Sequence, residues 1–208
     1  MYKIQHITNK NKLTNRKMIP EYLTIHSTSN LKSTAQNERD NLNREGNTTS
    51  TGFHIVVDEK EAIECIPFDM VAYHAGDGAN GTGNTKSIGL EICENGNRNK
   101  TIENAVEISA KILHERNWGI DRLKRHYDWS KKNCPRILNY NNWQGWSEFK
   151  SKVQAHLNLL IHKPHWAETH YNNLVEKGFE IHEKRYNDNI TRGEVFALLD
   201  RITDKEVK

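Results

Sequence analysis

The apolar residues of this chain gather into short β-branched runs, and one pair of runs fixes a local geometry. Phe53-His54-Ile55-Val56-Val57-Asp58 and Ala62-Ile63-Glu64-Cys65-Ile66 flank the polar triplet Glu59-Lys60-Glu61. Runs of that length around a polar turn predict a β-hairpin. Residues 22–26 and 87–93 read as two further strands, and residues 72–75 as a short extended piece. Between and after the strands the period changes. Residues 33–44 form a weakly apolar helical pattern with Ser33 as its N-cap. From Thr101, a second potential cap, the residues Ile102, Ala105, Val106, Ile112 and Leu113 follow a 3.6-residue period that ends near Trp118-Gly119. A third amphipathic stretch covers residues 147–161. Strands interleaved with helices predict an α/β fold, with a mixed central β-sheet flanked by helices.

Length sets the number of such layers. The 208 residues suffice for one well-cored domain of about 150 residues and a small appendage. His162-Lys163-Pro164-His165 interrupts the last helical pattern. The expected division is therefore a domain over 1–161, a linker at 162–165 and a small helical appendage over 166–208.

Composition narrows the function classes. Mean hydropathy is −0.87, and no run approaches the roughly 20 apolar residues of a membrane-spanning helix. The opening Met1-Tyr2-Lys3-Ile4-Gln5-His6 carries no apolar stretch of the signal-peptide type. Synthesis in the cytoplasm without a signal peptide is expected, and no membrane partner. A net charge of +3, with no basic stripe interleaved with aromatics, predicts no nucleic-acid partner. The glycine-rich residues 76–83 precede a strand and lack a Gly-Lys-Ser/Thr ending, which excludes a phosphate-binding loop. Three cysteines at scattered spacing argue against a disulfide framework. Cys65 and Cys93 lie in apolar runs and read as small buried residues.

The third cysteine has company. His26 closes the run Tyr22-Leu23-Thr24-Ile25, and His126 and Cys134 bracket residues 125–135. Two imidazoles and a thiolate suit Zn²⁺ and leave a fourth tetrahedral position for a reactive water. A structural zinc site fills that position with another Cys or His, and no nearby residue offers one. An open, catalytic site is the sharper expectation.

Five segments in order then form a recognisable set. They are Tyr-Leu-Thr-Ile-His-Ser-Thr (22–28), Phe-His-Ile-Val-Val-Asp (53–58), Ala-Tyr-His-Ala-Gly (72–76), Asn-Thr-Lys-Ser-Ile-Gly-Leu-Glu-Ile-Cys (84–93) and Arg-His-Tyr-Asp-Trp-Ser-Lys-Lys-Asn-Cys-Pro (125–135). Over roughly residues 15–160 the chain resembles the zinc-dependent N-acetylmuramoyl-L-alanine amidases of the type 2 amidase family. That family includes phage endolysins, bacterial autolysins and peptidoglycan recognition proteins. The resemblance implies zinc ligands at His26, His126 and Cys134, a catalytic glutamate at Glu91 and a catalytic lysine at Lys132. It implies peptidoglycan as substrate, cut by a zinc-activated water at the amide between the N-acetylmuramic acid lactyl group and L-alanine. His74 and Asn84 are expected to contact substrate, although His74 also reads as an ordinary half-buried histidine and Asn84 as a loop holder. Some members carry a tyrosine where this chain has Phe53. With no signal peptide, an endolysin or autolysin reaching the wall after holin-type release is the expected setting. Some relatives bind peptidoglycan without cutting it, and that is the alternative.

The appendage carries two short amphipathic patterns. Trp166, Tyr171, Leu174 and Val175 mark one helix, ended by Gly178. Thr191 and Glu194 form a capping box for another carrying Val195, Leu198, Leu199 and Ile202. The unit resembles a single S-layer homology motif, through Trp166-Ala167-Glu168 and Ile190-Thr191-Arg192-Gly193-Glu194. That likeness implies a secondary cell-wall polymer as partner, and Arg192, whose guanidinium matches anionic groups, is the expected contact. Such motifs usually work in threes and this chain has one, so association between copies through residues 166–208, or a helical hairpin that only packs, are the alternatives.

Overall fold

The computed structural model describes residues 2–161, 167–179 and 191–206. The expected linker at 162–165, and Trp166 and Ile190 of the appendage, lie outside the described residues. Contacts divide the chain into two units, Met1–His162 and Lys163–Lys208.

The first unit runs β1 (Lys3–Ile4), β2 (Tyr22–Ser27), α1 (Ala35–Asn43), β3 (Ile55–Val57), β4 (Ala62–Glu64), α2 (Thr82–Lys86), β5 (Ser87–Ile92), α3 (Arg98–Glu115), β6 (Leu123–Arg125), α4 (His126–Ser130) and α5 (Tyr140–Ile161). Its six strands form one sheet in the order β1-β4-β3-β5-β2-β6. The hairpin β3–β4 is antiparallel, and β3, β5, β2 and β6 run parallel. This is the mixed α/β sheet that the interleaved periods predict.

Alternation along the strands decides what each face carries. Leu23 and Ile25 of β2 and Ile88, Leu90 and Ile92 of β5 pack with Ala105, Val106 and Ile112 of α3 and Phe149 and Val153 of α5. On the opposite face, Val56 and Ile63 meet Ala35 and Leu42 of α1. Ile25 and Leu90 being committed to the helix layer, their neighbours His26 and Glu91 project from the other face. The two are paired in register across β2 and β5.

Several expected boundaries shift, each for a local reason. Thr34, not Ser33, caps α1, its side chain accepting from Asn37 N–H. Asn97 caps α3 by accepting from Lys100 N–H, so that helix starts before Thr101. Thr101 is a buried residue within it, its hydroxyl donating to the Asn97 carbonyl. The helix ends at Glu115, ahead of Trp118-Gly119. Tyr140 opens α5 well before residue 147, but Asn141, Asn142 and Trp143 hold φ of 47°, 54° and 70°. Regular helix follows only after that left-handed step. Residues 72–75 make no strand: Tyr73 forms a single bridge to Thr51. The N–H groups of His74 and Ala75 donate to the Asn84 side chain at 2.8 Å each, which replaces a strand partner.

In the second unit, α6 (Glu168–Glu176) is followed by Gly178 at φ 82°. The helix α7 (Arg192–Glu206) starts with the capping box: Glu194 N–H donates to Thr191 Oγ1, and Thr191 N–H to the Glu194 carboxylate. Among the described residues no helix is long and apolar enough to cross a membrane.

Candidate active site

The end of β2, the start of α4 and the loop after α4 meet at one point. His26 lies next to the last residue of β2, and His126 opens α4 directly after the edge strand β6. Lys131 ends α4 in the left-handed conformation, φ 63°, which turns the chain back on itself. Tyr127 N–H can then donate to the Cys134 carbonyl at 3.0 Å. By this turn Cys134, eight residues after His126 in sequence, comes to lie beside it.

The side chains converge. His26 Nδ1 stands 3.0 Å from His126 Nδ1 and 3.7 Å from Cys134 Sγ. All three residues are buried, and their ligand atoms lie within 4.8 Å of one another. Tetrahedral zinc with ordinary bond lengths separates two nitrogens by about 3.3 Å and nitrogen from sulfur by about 3.6 Å. The donor set and its spacing therefore fit a metal ion. Burial pushes the His126 imidazole down to about 4 and holds His26 well below the ordinary histidine value, so both rings stay neutral, the form that binds metal. The Cys134 thiol is pushed up to about 12, first by burial and then by the Glu91 carboxylate. A cation bound there reverses that preference, because thiolate is the ligand form.

Glu91 and Lys132 border the same space. Both line a cavity of about 200 Å³ with His26, His126 and Cys134. Glu91 Oε2 is shielded from water and, among the described residues, has no hydrogen-bond partner. Burial, reinforced by the Glu38 carboxylate, raises the Glu91 carboxyl to about 8, against a smaller opposing pull from Lys132. A carboxyl raised to near neutral pH exchanges protons readily. Lys132 is exposed, its carbonyl accepting from Cys134 N–H at 2.7 Å.

A second cavity of about 610 Å³ opens beside the first and shares Thr51, His74, His126 and Lys132 with it. His74 and Asn84 line this cleft. Both are committed to protein atoms. His74 Nδ1 lies 3.0 Å from His26 Nε2, and His74 Nε2 lies 3.0 Å from the Ser87 carbonyl. Asn84 Oδ1 accepts from two backbone N–H groups, and its Nδ2 donates to the Gly78 carbonyl at 2.9 Å. What these two offer a ligand is a surface more than a hydrogen bond. Phe53 lines the smaller cavity, and His54 is fully buried, accepting from Gly89 N–H. Arg192 is exposed at the start of α7, in the other unit.

One ion pair, between the buried Glu94 and the exposed Arg136, had no signal in the sequence. The Glu94 carboxylate accepts from Arg136 Nε at 3.0 Å and Nη2 at 2.5 Å, and from Ser29 N–H at 3.0 Å. It ties together the segments that follow Glu91, Cys134 and His26, at positions 42 residues apart. Neither residue belongs to a periodic pattern or a ligand spacing. Arg136→Ala leaves that buried carboxylate with the Ser29 donor and the Arg98 guanidinium 4.0 Å away, and is expected to destabilise the unit by about 1 kcal/mol. Urea unfolding of the variant beside the parent chain measures this.

Comparison with known proteins follows the same lines. Residues 15–137, more than half of the chain, match the family model described as N-acetylmuramoyl-L-alanine amidase. The chain is 45% identical over 148 residues to N-acetylmuramoyl-L-alanine amidase CwlA of Bacillus subtilis (strain 168), covering 69% of this chain and 52% of that one. It is 45% identical over 146 residues to XlyB, an amidase of the same name and organism, covering 68% and 44%. The chain thus spans about half the length of the curated relatives it matches. Among solved structures, the catalytic domain of XlyA superimposes with a TM-score of 0.65 at 32% identity, covering 72% of this chain and 98% of that domain. With residues 15–137 matching the family model and the fold superimposing on a solved amidase domain, the chain belongs to the N-acetylmuramoyl-L-alanine amidase family.

Proposed function

We propose that this chain is a peptidoglycan hydrolase that cuts the amide between the lactyl group of N-acetylmuramic acid and L-alanine of the stem peptide. One observation carries the reading: the His26, His126 and Cys134 donors converge on a cleft that Glu91 and Lys132 also line. The curated relatives carry the corresponding amidase name.

His26, His126 and Cys134 would hold zinc. Bound there, zinc supplies Lewis acidity toward the amide carbonyl and makes water available as a nucleophile at neutral pH. Glu91 takes the proton of the attacking water as the new C–O bond forms. It then delivers that proton to the alanine nitrogen as the C–N bond breaks, so that the leaving group departs as a neutral amine. Lys132 brings its ammonium to the developing negative charge on the carbonyl oxygen. The larger cavity, walled by Thr51, Tyr73, His74 and Asn84, receives the flanking substrate.

Action on the wall as an endolysin or autolysin after holin-type release belongs to the same reading. In the second unit, the exposed Arg192 contacts anionic wall polymer, a role its guanidinium suits. Exposed Phe196 and Leu198 on α7 supply apolar surface for association between copies.

Stripping the metal tests the zinc dependence. Protein dialysed against chelator should lose activity on purified walls and regain it with added zinc. Full activity with no bound metal would overturn the zinc reading.

A further inference from the structure

His74 lies behind the candidate metal centre, and the hydrogen bonds around it fix where protons sit. The Ser87 carbonyl can only accept, so His74 Nε2, 3.0 Å away, carries a proton and donates it. The ring is buried and its two nitrogens face only that carbonyl and His26 Nε2, with no carboxylate bonded to it among the described residues, so it is held as the neutral imidazole and its Nδ1 is bare. The bare Nδ1 stands 3.0 Å from His26 Nε2 and must accept from it. His26 Nε2 is therefore protonated. The lone pair of neutral His26 is then on Nδ1, the atom that faces His126 Nδ1 and Cys134 Sγ.

The ring is held in place from three sides. Asn84 Oδ1 binds the backbone N–H of His74 and of Ala75. Gly89 of β5 lies beneath the ring: a Cβ at that position would come within 2.8 Å of His74 Cγ. His54, itself bonded to Gly89 N–H and the Met70 carbonyl, packs edge-on against it at 5.5 Å between centroids. His74 is 6% exposed.

We propose that His74 is a positioning residue that selects the Nδ1-bare tautomer of His26, through a Ser87–His74–His26 hydrogen-bond chain, and so sets the affinity of the site for zinc. The inference rests on the proposed metal site. It assigns to His74 a role beyond the lining of the cleft. Ligating histidines commonly give their second N–H to an acceptor, and removing such a partner weakens metal binding about 10–100-fold.

The test uses the full chain. In metal-free protein labelled with ¹⁵N in histidine, long-range ¹H–¹⁵N correlation distinguishes the two tautomers of His26. The Nε2–H form supports the proposal, and the Nδ1–H form overturns it without any variant. Zinc affinity is then read by competition with a chromogenic chelator. His74→Leu should bind zinc about 10–100-fold more weakly than the parent. His74→Gln, whose amide can accept from His26 and donate to Ser87, should recover most of that loss. Equal affinity of parent and His74→Leu would overturn the positioning role, as would equal weakening in both variants. A parent chain that binds no zinc would instead overturn the metal reading itself, so the two failures are distinguishable.

Discussion

Glu91→Gln should retain zinc and fold while losing turnover by about 10²–10⁴-fold, the usual worth of a general acid–base group. The amide keeps the size of the carboxyl and cannot take up the proton. Stability separates this from damage to the fold. The Glu91 carboxyl is raised from 4.5 to about 8, mainly by burial. Between those values the folded metal-free chain holds a proton that the unfolded chain has released, so the carboxyl lowers stability as pH rises across that window. The glutamine variant has no such group, and its metal-free form should melt no lower than the parent at pH 8. Glu91→Ala should lose activity in the same way with zinc retained. Turnover at the parental rate in either variant would remove Glu91 from the chemistry.

Cys134→Ser should be the most damaging change to the metal centre. Sulfur stands 3.7 Å from His26 Nδ1 and is the only thiol at the site among the described residues. A serine hydroxyl is shorter, harder and far less acidic, and offers no thiolate to a borderline-soft ion. Since changes to residues behind a ligand already cost about 10–100-fold, loss of the ligand itself should weaken zinc binding by more than about 100-fold. Zinc content measured after dialysis reads this directly. Unchanged zinc would take Cys134 out of the ligand set.

Much of this site is legible in the sequence because it depends on strand alternation and short-range spacing. The β-branched runs over β2, β3, β4 and β5 mark the sheet, and alternation within them puts His26 and Glu91 on one face. What escaped is either too short to leave a period, or held by a local cap with equally plausible neighbours, or dependent on contacts between distant segments. Leu123–Arg125 is a three-residue edge strand with two polar residues, too short to leave a period. The helix α4 is held by Asp128 accepting from the Arg125 backbone and guanidinium, a local device hidden among charged residues. The helix starts at Thr34 and Asn97 are hard to read from sequence because Ser33 and Thr101 are also capping residue types within a turn of them. The double engagement of His74 and the Glu94–Arg136 pair exist only once the sheet and the loops have come together.

The identity of the cleaved bond is the central claim, and the products of wall digestion read it. Purified cell walls incubated with the zinc-loaded chain should release new α-amino groups belonging to N-terminal L-alanine, with no new reducing sugars. New reducing ends would mean a glycosidic bond is cut, and would contradict the account. Zinc-loaded protein that binds walls of several bacteria and releases neither product would contradict it equally, and would make the chain a peptidoglycan-binding protein.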